Sequence, residues 1–193
     1  MKRKTVFIPL ARKISMLEIV FVARGGQGAK TAAHLLATSA MKQGYFVQAW
    51  PQFGPERRGA KVKAYVRISE SEILTHAPIS EPDFLVVFEK TVLKGEQTDN
   101  TTILNYPSVE EAKSLANFKE LYVLDATKIA RETTGTAIPN IAMLGALVKV
   151  LGNLKLEIVE NEVREHFTKK RNAQLASKLC EALKLGYENV VKA

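Results

Sequence analysis

The amino-acid sequence predicts an α/β fold, namely a Rossmann-like, open and mostly parallel sheet with helices on both faces and a helical C-terminal third. Three observations predict it. Short apolar runs of strand length recur over the first two thirds of the chain, and a glycine-rich turn joins the first run to a helical pattern. The last third instead carries apolar residues at helical spacing. At 193 residues, of which 46% are hydrophobic, the chain has the size and composition of one globular domain.

The first predicted elements are a strand, a glycine turn, a helix and a second strand. Leu17–Ala23 is a compact apolar run that is followed at once by the glycine loop Gly25–Gly28. Ala29–Lys42 then has alanines and leucines at helical spacing, and Gly44 stands where a helix C-cap glycine is expected. Tyr45–Trp50 is the next strand. This succession is typical of the βαβ unit of a parallel sheet.

The middle of the chain predicts four further strands. Residues 62–68 alternate apolar side chains with polar ones, Arg67 among the latter, which predicts a strand with one wet or partner-facing side. Short apolar runs predict the other three strands at Phe84–Phe88, Thr101–Leu104 and Leu121–Leu124.

The last third predicts three helices. Pro139 stands where a helix can begin, and the apolar residues after it follow a helical period until Gly152. Two amphipathic segments follow, over residues 156–167 and 175–183, and packing on the sheet accounts for their apolar stripes.

Charge is distributed unevenly along the chain. The formal net charge is +8, and residues 1–15 supply five of these charges without a single acid. We expect residues 1–15 to be a basic leader, disordered or upstream of a true start at Met16, and residues 16–193 to form the single α/β domain. Because the remainder is only mildly basic, nucleic acid is not the expected partner. No apolar run approaches the roughly 20 residues that cross a bilayer, so we predict a cytoplasmic protein without a membrane partner.

The sequence contains few residues that could bind a metal ion or a redox cluster. Cys180 is the one cysteine, and three histidines accompany it without metal-ligand spacing. The chain cannot form an internal disulfide or hold an iron-sulfur cluster, and no metal site is predicted.

The glycine loop admits three interpretations. A dinucleotide fingerprint needs a third glycine where Thr31 stands and an acidic residue about 20 positions later, which is missing. A P-loop needs glycine directly before Lys30, and Ala29 stands there. The loop can otherwise bind a phosphate group through its backbone amides and the helix N-terminus, or it can merely form a tight turn. Geometry alone leaves these last two possibilities open.

Four motifs in order, covering residues 16–187, carry a resemblance to a known family. They are Arg24-Gly25-Gly26-Gln27-Gly28, the stretch Gln48–Ala60 with its Gly54-Pro55-Glu56-Arg57-Arg58-Gly59 core, Val123–Thr127, and Pro139–Gly145, and the closing Gly186-Tyr187 fits the same pattern. Together they resemble the gamma subunit of 2-oxoacid:ferredoxin oxidoreductases, the group that includes pyruvate:ferredoxin oxidoreductase. Ala29 and Lys30 depart from the family's more usual residues.

The resemblance implies a subunit rather than a complete enzyme. Such enzymes convert a 2-oxoacid, coenzyme A and oxidised ferredoxin to acyl-CoA, carbon dioxide and reduced ferredoxin. In this family thiamine diphosphate and the iron-sulfur clusters reside on partner subunits, and the gamma part is implicated in binding coenzyme A as co-substrate. The implied partners are the alpha, beta and delta subunits, with ferredoxin reached through the complex. The alternative is a free-standing nucleotide-binding protein such as a deviant P-loop ATPase.

Arg57 and Arg58 form the most unusual polar cluster, in a loop shaped by Pro55 and Gly59. Either guanidinium could pair with a phosphate of coenzyme A or with an acidic surface of a partner subunit. We favour such a role over a solvated loop with a local ion pair to Glu56.

Three other polar residues have simpler expected roles. Asn140 either caps the predicted helix after Pro139 or faces the glycine loop, and capping is the role we expect. Asp125 ends a strand and can cap the turn after it. His34 is expected to be packed or at the surface rather than to act as a base. The predicted coenzyme A site therefore comprises Gly25, Gly26, Gln27, Gly28, Arg57, Arg58 and Asn140, with no catalytic residue in this chain.

Overall fold

The computed structural model describes residues 16–52, 59–96, 99–168 and 173–193. The predicted basic leader, residues 1–15, lies outside the described residues.

Within the described part of the chain, seven strands form one sheet. They are β1 (Leu17–Arg24), β2 (Phe46–Pro51), β3 (Lys61–Ser69), β4 (Phe84–Val87), β5 (Thr101–Asn105), β6 (Glu120–Leu124) and β7 (Val191–Lys192). Their order across the sheet is β2-β3-β1-β4-β5-β6-β7. β1, β4, β5 and β6 are parallel, whereas β3 and the two-residue β7 run antiparallel to their neighbours. The predicted mostly parallel α/β sheet is confirmed.

The helices cover the two faces of this sheet unequally. They are α1 (Ala29–Lys42), α2 (Val109–Lys113), α3 (Ala126–Thr134), α4 (Asn140–Leu151), α5 (Leu156–Thr168) and α6 (Ala173–Asn189), with a 3-10 turn at Lys90–Val92. One face carries the larger core, to which α1 and α3 to α6 contribute. The other face carries a smaller core, built with α2 and the 3-10 turn. Helices lie on both faces as predicted, with most of them on one.

The predicted βαβ unit has a strand inserted in it. β1 and β2 run in the same direction, but β3 lies between them and is antiparallel to both. β2 and β3 are consecutive antiparallel strands, and β3 goes on to pair along the whole length of β1. Helix α1 therefore packs across β3 as well as β2. Periodicity detects strands, but it does not report which strands are neighbours.

The polar side of β3 is buried at Arg67, where the sequence predicts a wet or partner-facing surface. The Arg67 side chain is only 2% exposed, and its Nε donates to Glu18 Oε1 at 2.8 Å. Its two terminal nitrogens donate to Gln48 Oε1 at 3.3 Å and to the Ala77 carbonyl at 2.5 Å. The segment after β3 folds back over this position and supplies that carbonyl. The predicted wet face is therefore wrong at Arg67, because a buried guanidinium is tolerated when each donor has a partner.

The apolar spacing of the sequence did not predict two short helices, α2 and α3, but each begins at a residue whose side chain caps it. The Ser108 hydroxyl accepts a hydrogen bond from the Glu111 amide at 3.3 Å and starts α2. Asp125 Oδ1 accepts one from the Lys128 amide at 2.9 Å and starts α3. The predicted capping role of Asp125 is confirmed.

Two glycines allow α4 and α6 to cross with their backbones in contact. A Cβ added to Gly145 would overlap the Leu183 carbonyl oxygen, and one added to Gly186 would overlap the Ala142 carbonyl oxygen. α4 is buried over most of its length and lies among α1, α3 and α6. The sequence motifs that end in Gly145 and contain Gly186 thus meet at one helix crossing. None of the helices in the described residues is both long and apolar enough to cross a membrane.

We predict that Gly145→Ala or Gly186→Ala lowers the free energy of unfolding by about 2 kcal/mol or more, because the new methyl group meets backbone atoms that cannot rotate away. A glycine-to-alanine change in an uncrowded helix would instead raise it by roughly 0.5 to 1 kcal/mol. Urea unfolding measures whether the free energy of unfolding falls or rises, and Lys178→Ala, at an exposed position of α6, is the control. Either glycine variant unfolding at or above the wild-type midpoint would contradict the close crossing.

We predict that Arg67→Ala lowers the free energy of unfolding by about 3 kcal/mol, since it leaves Glu18 and several polar groups without their buried partner. The matched control is Arg164→Ala. Arg164 pairs with Glu160 on the surface of α5 and its side chain is 47% exposed, so that loss is expected to stay below about 1 kcal/mol. Equal losses in the two variants would refute the structural role of Arg67.

Candidate functional site

The carboxyl ends of the parallel strands place polar groups along one edge of the sheet, where ligands bind in open α/β folds. Arg24 and the glycine loop end β1, and Glu89 follows β4. Asn105 ends β5 and Asp125 follows β6. The glycine loop leads into α1, so its backbone amides lie at a helix N-terminus.

The two left-handed glycines of this loop have different surroundings. Gly26 has φ +98°, and a Cβ built on it would have no atom of the described chain within 4 Å. Gly28 is the N-cap residue of α1 with φ +84°, and its added Cβ would lie 2.5 Å from Asn140 Nδ2. Gly28 is therefore needed for packing, whereas Gly26 leaves open space beside the loop.

Asn140 is brought to the glycine loop by the fold. It is the first residue of α4, it is buried, and its side chain lies against Gly28. Pro139 holds the N-cap position, and Asn140 Oδ1 instead accepts a bond from the Ile141 amide at 2.9 Å from within the helix. The expected N-cap role is wrong for this reason, and the alternative position, facing the loop, is the one observed.

Gln27 holds the loop through its side chain. Its Oε1 accepts a hydrogen bond from the Arg24 amide at 2.8 Å, while its backbone amide donates to the Arg24 carbonyl at 3.0 Å. Its Nε2 donates to Glu89 Oε2 at 3.0 Å. The Gly25 amide donates to the Ala60 carbonyl at 2.8 Å, which joins the loop to the start of β3.

Glu89 and Thr91 are site residues that the sequence analysis missed. Arg24 Nε lies 3.2 Å from Glu89 Oε1, and its other donors reach Thr91 Oγ1 and the Gly59 carbonyl. Hydrogen bonds from Thr91, Arg24 and Gln27 hold the pKa of the Glu89 carboxyl below its ordinary value, so this group is ionised near neutral pH. The available signal was its position directly after an apolar strand, at the edge that carries the glycine loop.

At the ends of β5 and β6, the side chains of Asn105 and Asp125 are engaged in hydrogen bonds within the protein. Asn105 Nδ2 donates to the Phe88 carbonyl and to Thr127 Oγ1, each at 2.8 Å, and its Oδ1 accepts from the Thr127 amide. Asp125 caps α3. Polar groups that can face a ligand are therefore concentrated at the ends of β1 and β4.

The remaining residues that the sequence analysis singled out are Arg57, Arg58, His34 and Cys180. Arg57 and Arg58 lie outside the described residues, and the chain is described again from Gly59. His34 is exposed on α1 with its ring centre 5.8 Å from that of His166, so of the two expected positions, packed or at the surface, the surface one is observed. Among the described residues, no group of three His, Cys, Asp or Glu side chains could hold a metal ion. Cys180 is buried, and burial raises the pKa of its thiol.

The arrangement can bind an anionic group through the loop amides other than those of Gly25 and Gln27, which donate to the Ala60 and Arg24 carbonyls. Arg24 lies beside the loop with its side chain 42% exposed. The arrangement differs from a P-loop in two respects. Ala29 rather than glycine precedes Lys30. Asp125, which imitates the magnesium-binding aspartate in sequence, serves as a helix cap.

Comparison with known proteins identifies the family. A family model described as pyruvate ferredoxin/flavodoxin oxidoreductase matches residues 18–189. The common subunit gamma of the pyruvate/ketoisovalerate oxidoreductases of Pyrococcus abyssi is 41% identical over 182 residues, which cover 90% of this chain and 96% of that relative. Pyruvate synthase subunit PorC of Thermotoga maritima is 36% identical over 190 residues, which cover 95% of this chain and 98% of that relative.

A solved structure agrees with the sequence relatives. The crystal structure of pyruvate oxidoreductase subunit PORC from Thermotoga maritima superposes with a TM-score of 0.79 at 33% identity, covering 93% of this chain and 99% of that one. The resemblance to gamma subunits that rests on the four sequence motifs is thereby confirmed. The chain belongs to the pyruvate ferredoxin/flavodoxin oxidoreductase family.

Proposed function

We propose that this chain is the gamma subunit of a multi-subunit 2-oxoacid:ferredoxin oxidoreductase that binds coenzyme A and contributes to assembly of the complex. The complete enzyme would decarboxylate pyruvate or a related 2-oxoacid oxidatively, form acyl-CoA and reduce ferredoxin. The observation that carries the proposal is a glycine loop opening α1 at the carboxyl edge of the sheet, in a chain that matches the family over residues 18–189.

Coenzyme A suits this loop because it carries a pyrophosphate and a 3'-phosphate. Backbone amides at a helix N-terminus attract phosphate, and the open space beside Gly26 allows a ligand to approach the backbone closely. Arg24 adds a guanidinium next to the loop. We extend the proposed site to Arg57 and Arg58 on the evidence of the sequence motif alone.

The redox chemistry is assigned to other subunits in this proposal. The chain has a single cysteine, which is buried, whereas an iron-sulfur cluster is held by several thiolates. We propose that alpha, beta and delta subunits supply thiamine diphosphate and the clusters, and that ferredoxin is reached through the complex. The Pyrococcus abyssi relative is by name common to two oxidoreductases. We infer from this that the partner subunits, and not this chain, select the 2-oxoacid.

A deviant P-loop ATPase is the alternative function, and none of the described contacts favours it. The residue before Lys30 is Ala29, and Asp125 caps a helix.

We predict that Gly26→Asn raises the KM for coenzyme A by about tenfold in the reconstituted complex while leaving the KM for the 2-oxoacid unchanged. Asparagine tolerates the left-handed backbone, so the protein folds, and the new side chain blocks close approach of a phosphate group.

The matched control for Gly26→Asn is Gly135→Asn. Gly135 has φ +75° at the C-terminus of α3, and an added Cβ there also meets open space. The substitution places asparagine at a positive φ, as Gly26→Asn does, but at a position outside the glycine loop. If both variants change the two KM values alike, or if neither changes the KM for coenzyme A, the loop does not bind coenzyme A.

We predict that the purified chain alone reduces no ferredoxin with pyruvate or other 2-oxoacids, because it lacks the thiolates that hold a cluster. Activity should appear when the subunits carrying thiamine diphosphate and clusters are added. Steady-state ferredoxin reduction measures this, with magnesium-dependent ATP turnover assayed in parallel. ATP hydrolysis by the isolated chain at an enzymatic rate would replace the subunit hypothesis with the nucleotide-enzyme alternative.

A further inference from the structure

The Arg24 side chain connects three separate segments of the chain. Its Nε lies 3.2 Å from Glu89 Oε1, after β4, and 3.1 Å from Thr91 Oγ1 in the 3-10 turn. One terminal nitrogen donates to the Gly59 carbonyl at 2.8 Å, just before β3. Because Arg24 directly precedes the glycine loop, its guanidinium joins the loop to all of these neighbours.

Glu89 accepts hydrogen bonds from Arg24, Thr91 and Gln27. One carboxylate oxygen accepts from Arg24 and from the Thr91 hydroxyl, and the other accepts from Gln27 Nε2 at 3.0 Å. The loop thus receives support from both ends, through Arg24 before Gly25 and through Gln27 before Gly28. A carboxylate offers two oxygens and no donor, which is what this set of donors requires.

We propose that Glu89 is a positioning residue for the glycine loop, acting through Arg24 and Gln27 to fix the loop against the start of β3. Only its consequence for coenzyme A rests on the proposed function. The positioning itself concerns the conformation of this chain.

The loop needs such support because glycines restrain it weakly. Gly26 and Gly28 adopt positive φ, and glycine loses more conformational freedom on ordering than any other residue. Two backbone hydrogen bonds, from Gly25 to Ala60 and from Gln27 to Arg24, define the observed shape. Bonds to an ionised acceptor are the strong ones, so the Glu89 carboxylate can hold both flanks of the loop.

The first test measures amide hydrogen exchange in the purified full-length chain. Glu89→Gln keeps the side-chain size but replaces one acceptor oxygen by a donor. We expect the Gly25 and Gln27 amides to exchange about three- to tenfold faster, because local opening becomes easier. The amide of the buried Leu35 in α1 should keep its rate, which shows that the variant remains folded.

The matched control is Glu96→Gln. Glu96 also lies near this edge and pairs with Lys61 at 2.6 Å and Lys63 at 2.7 Å, but these partners belong to β3 and not to the glycine loop. Unchanged exchange at Gly25 and Gln27 in Glu89→Gln would overturn the proposal. Equal acceleration in Glu96→Gln would overturn it as well, since any lost carboxylate at this edge would then suffice.

The second test separates this proposal from the proposed function. In the reconstituted complex, Glu89→Gln is expected to raise the KM for coenzyme A about three- to tenfold while kcat stays near the wild-type value. If Gly26→Asn raises this KM and Glu89→Gln does not, the coenzyme A site stands and the proposed consequence of Glu89 positioning for coenzyme A binding is wrong. If exchange accelerates but neither variant changes this KM, Glu89 positions the loop and the proposed coenzyme A site is wrong.

Discussion

The close crossing of α4 and α6 is the constraint on which the rest of this structure depends. Gly145 and Gly186 let the two helix backbones touch, and this contact sets the depth at which α4 lies between the other helices. The first residue of α4, Asn140, then packs against Gly28 at the start of α1. Packing between two helices therefore contributes to what surrounds the glycine loop.

Two arginine-glutamate ion pairs differ in burial and therefore in their role. Arg67 and Glu18 form a pair in which the guanidinium is almost completely buried, and it fixes the segment that folds over β3. Arg24 and Glu89 form a pair at the sheet edge whose side chains are 42% and 33% exposed. The first pair matters for the fold because the Arg67 guanidinium is almost completely buried and would be left as an unpaired buried charge without Glu18. The second remains accessible to a ligand and contributes chiefly geometry.

The proposed coenzyme A site combines rigid and open features. A Cβ at Gly28 would overlap Asn140, which restricts the junction of loop and helix, whereas a Cβ at Gly26 would meet no neighbouring side chain or backbone within 4 Å. Phosphate binding by backbone amides requires both a fixed direction of the N–H groups and room for close approach. Gly28 and Gly26, two positions apart, provide these two requirements, and Glu89 accepts a hydrogen bond from Gln27 between them.

The sequence by itself determined the fold class, the long helices, most of the strands and the location of the glycine loop, because periodicity and glycine turns depend on local structure. Only the tertiary structure decided that β3 lies between β1 and β2, that Arg67 is buried, and that Asn140 reaches Gly28. Only the tertiary structure brings Glu89 to Gln27, which is 62 positions away in the chain and donates a hydrogen bond to it at the carboxyl ends of the parallel strands. Strand order and side-chain contacts between distant segments depend on which surfaces pack together, and no local pattern records that.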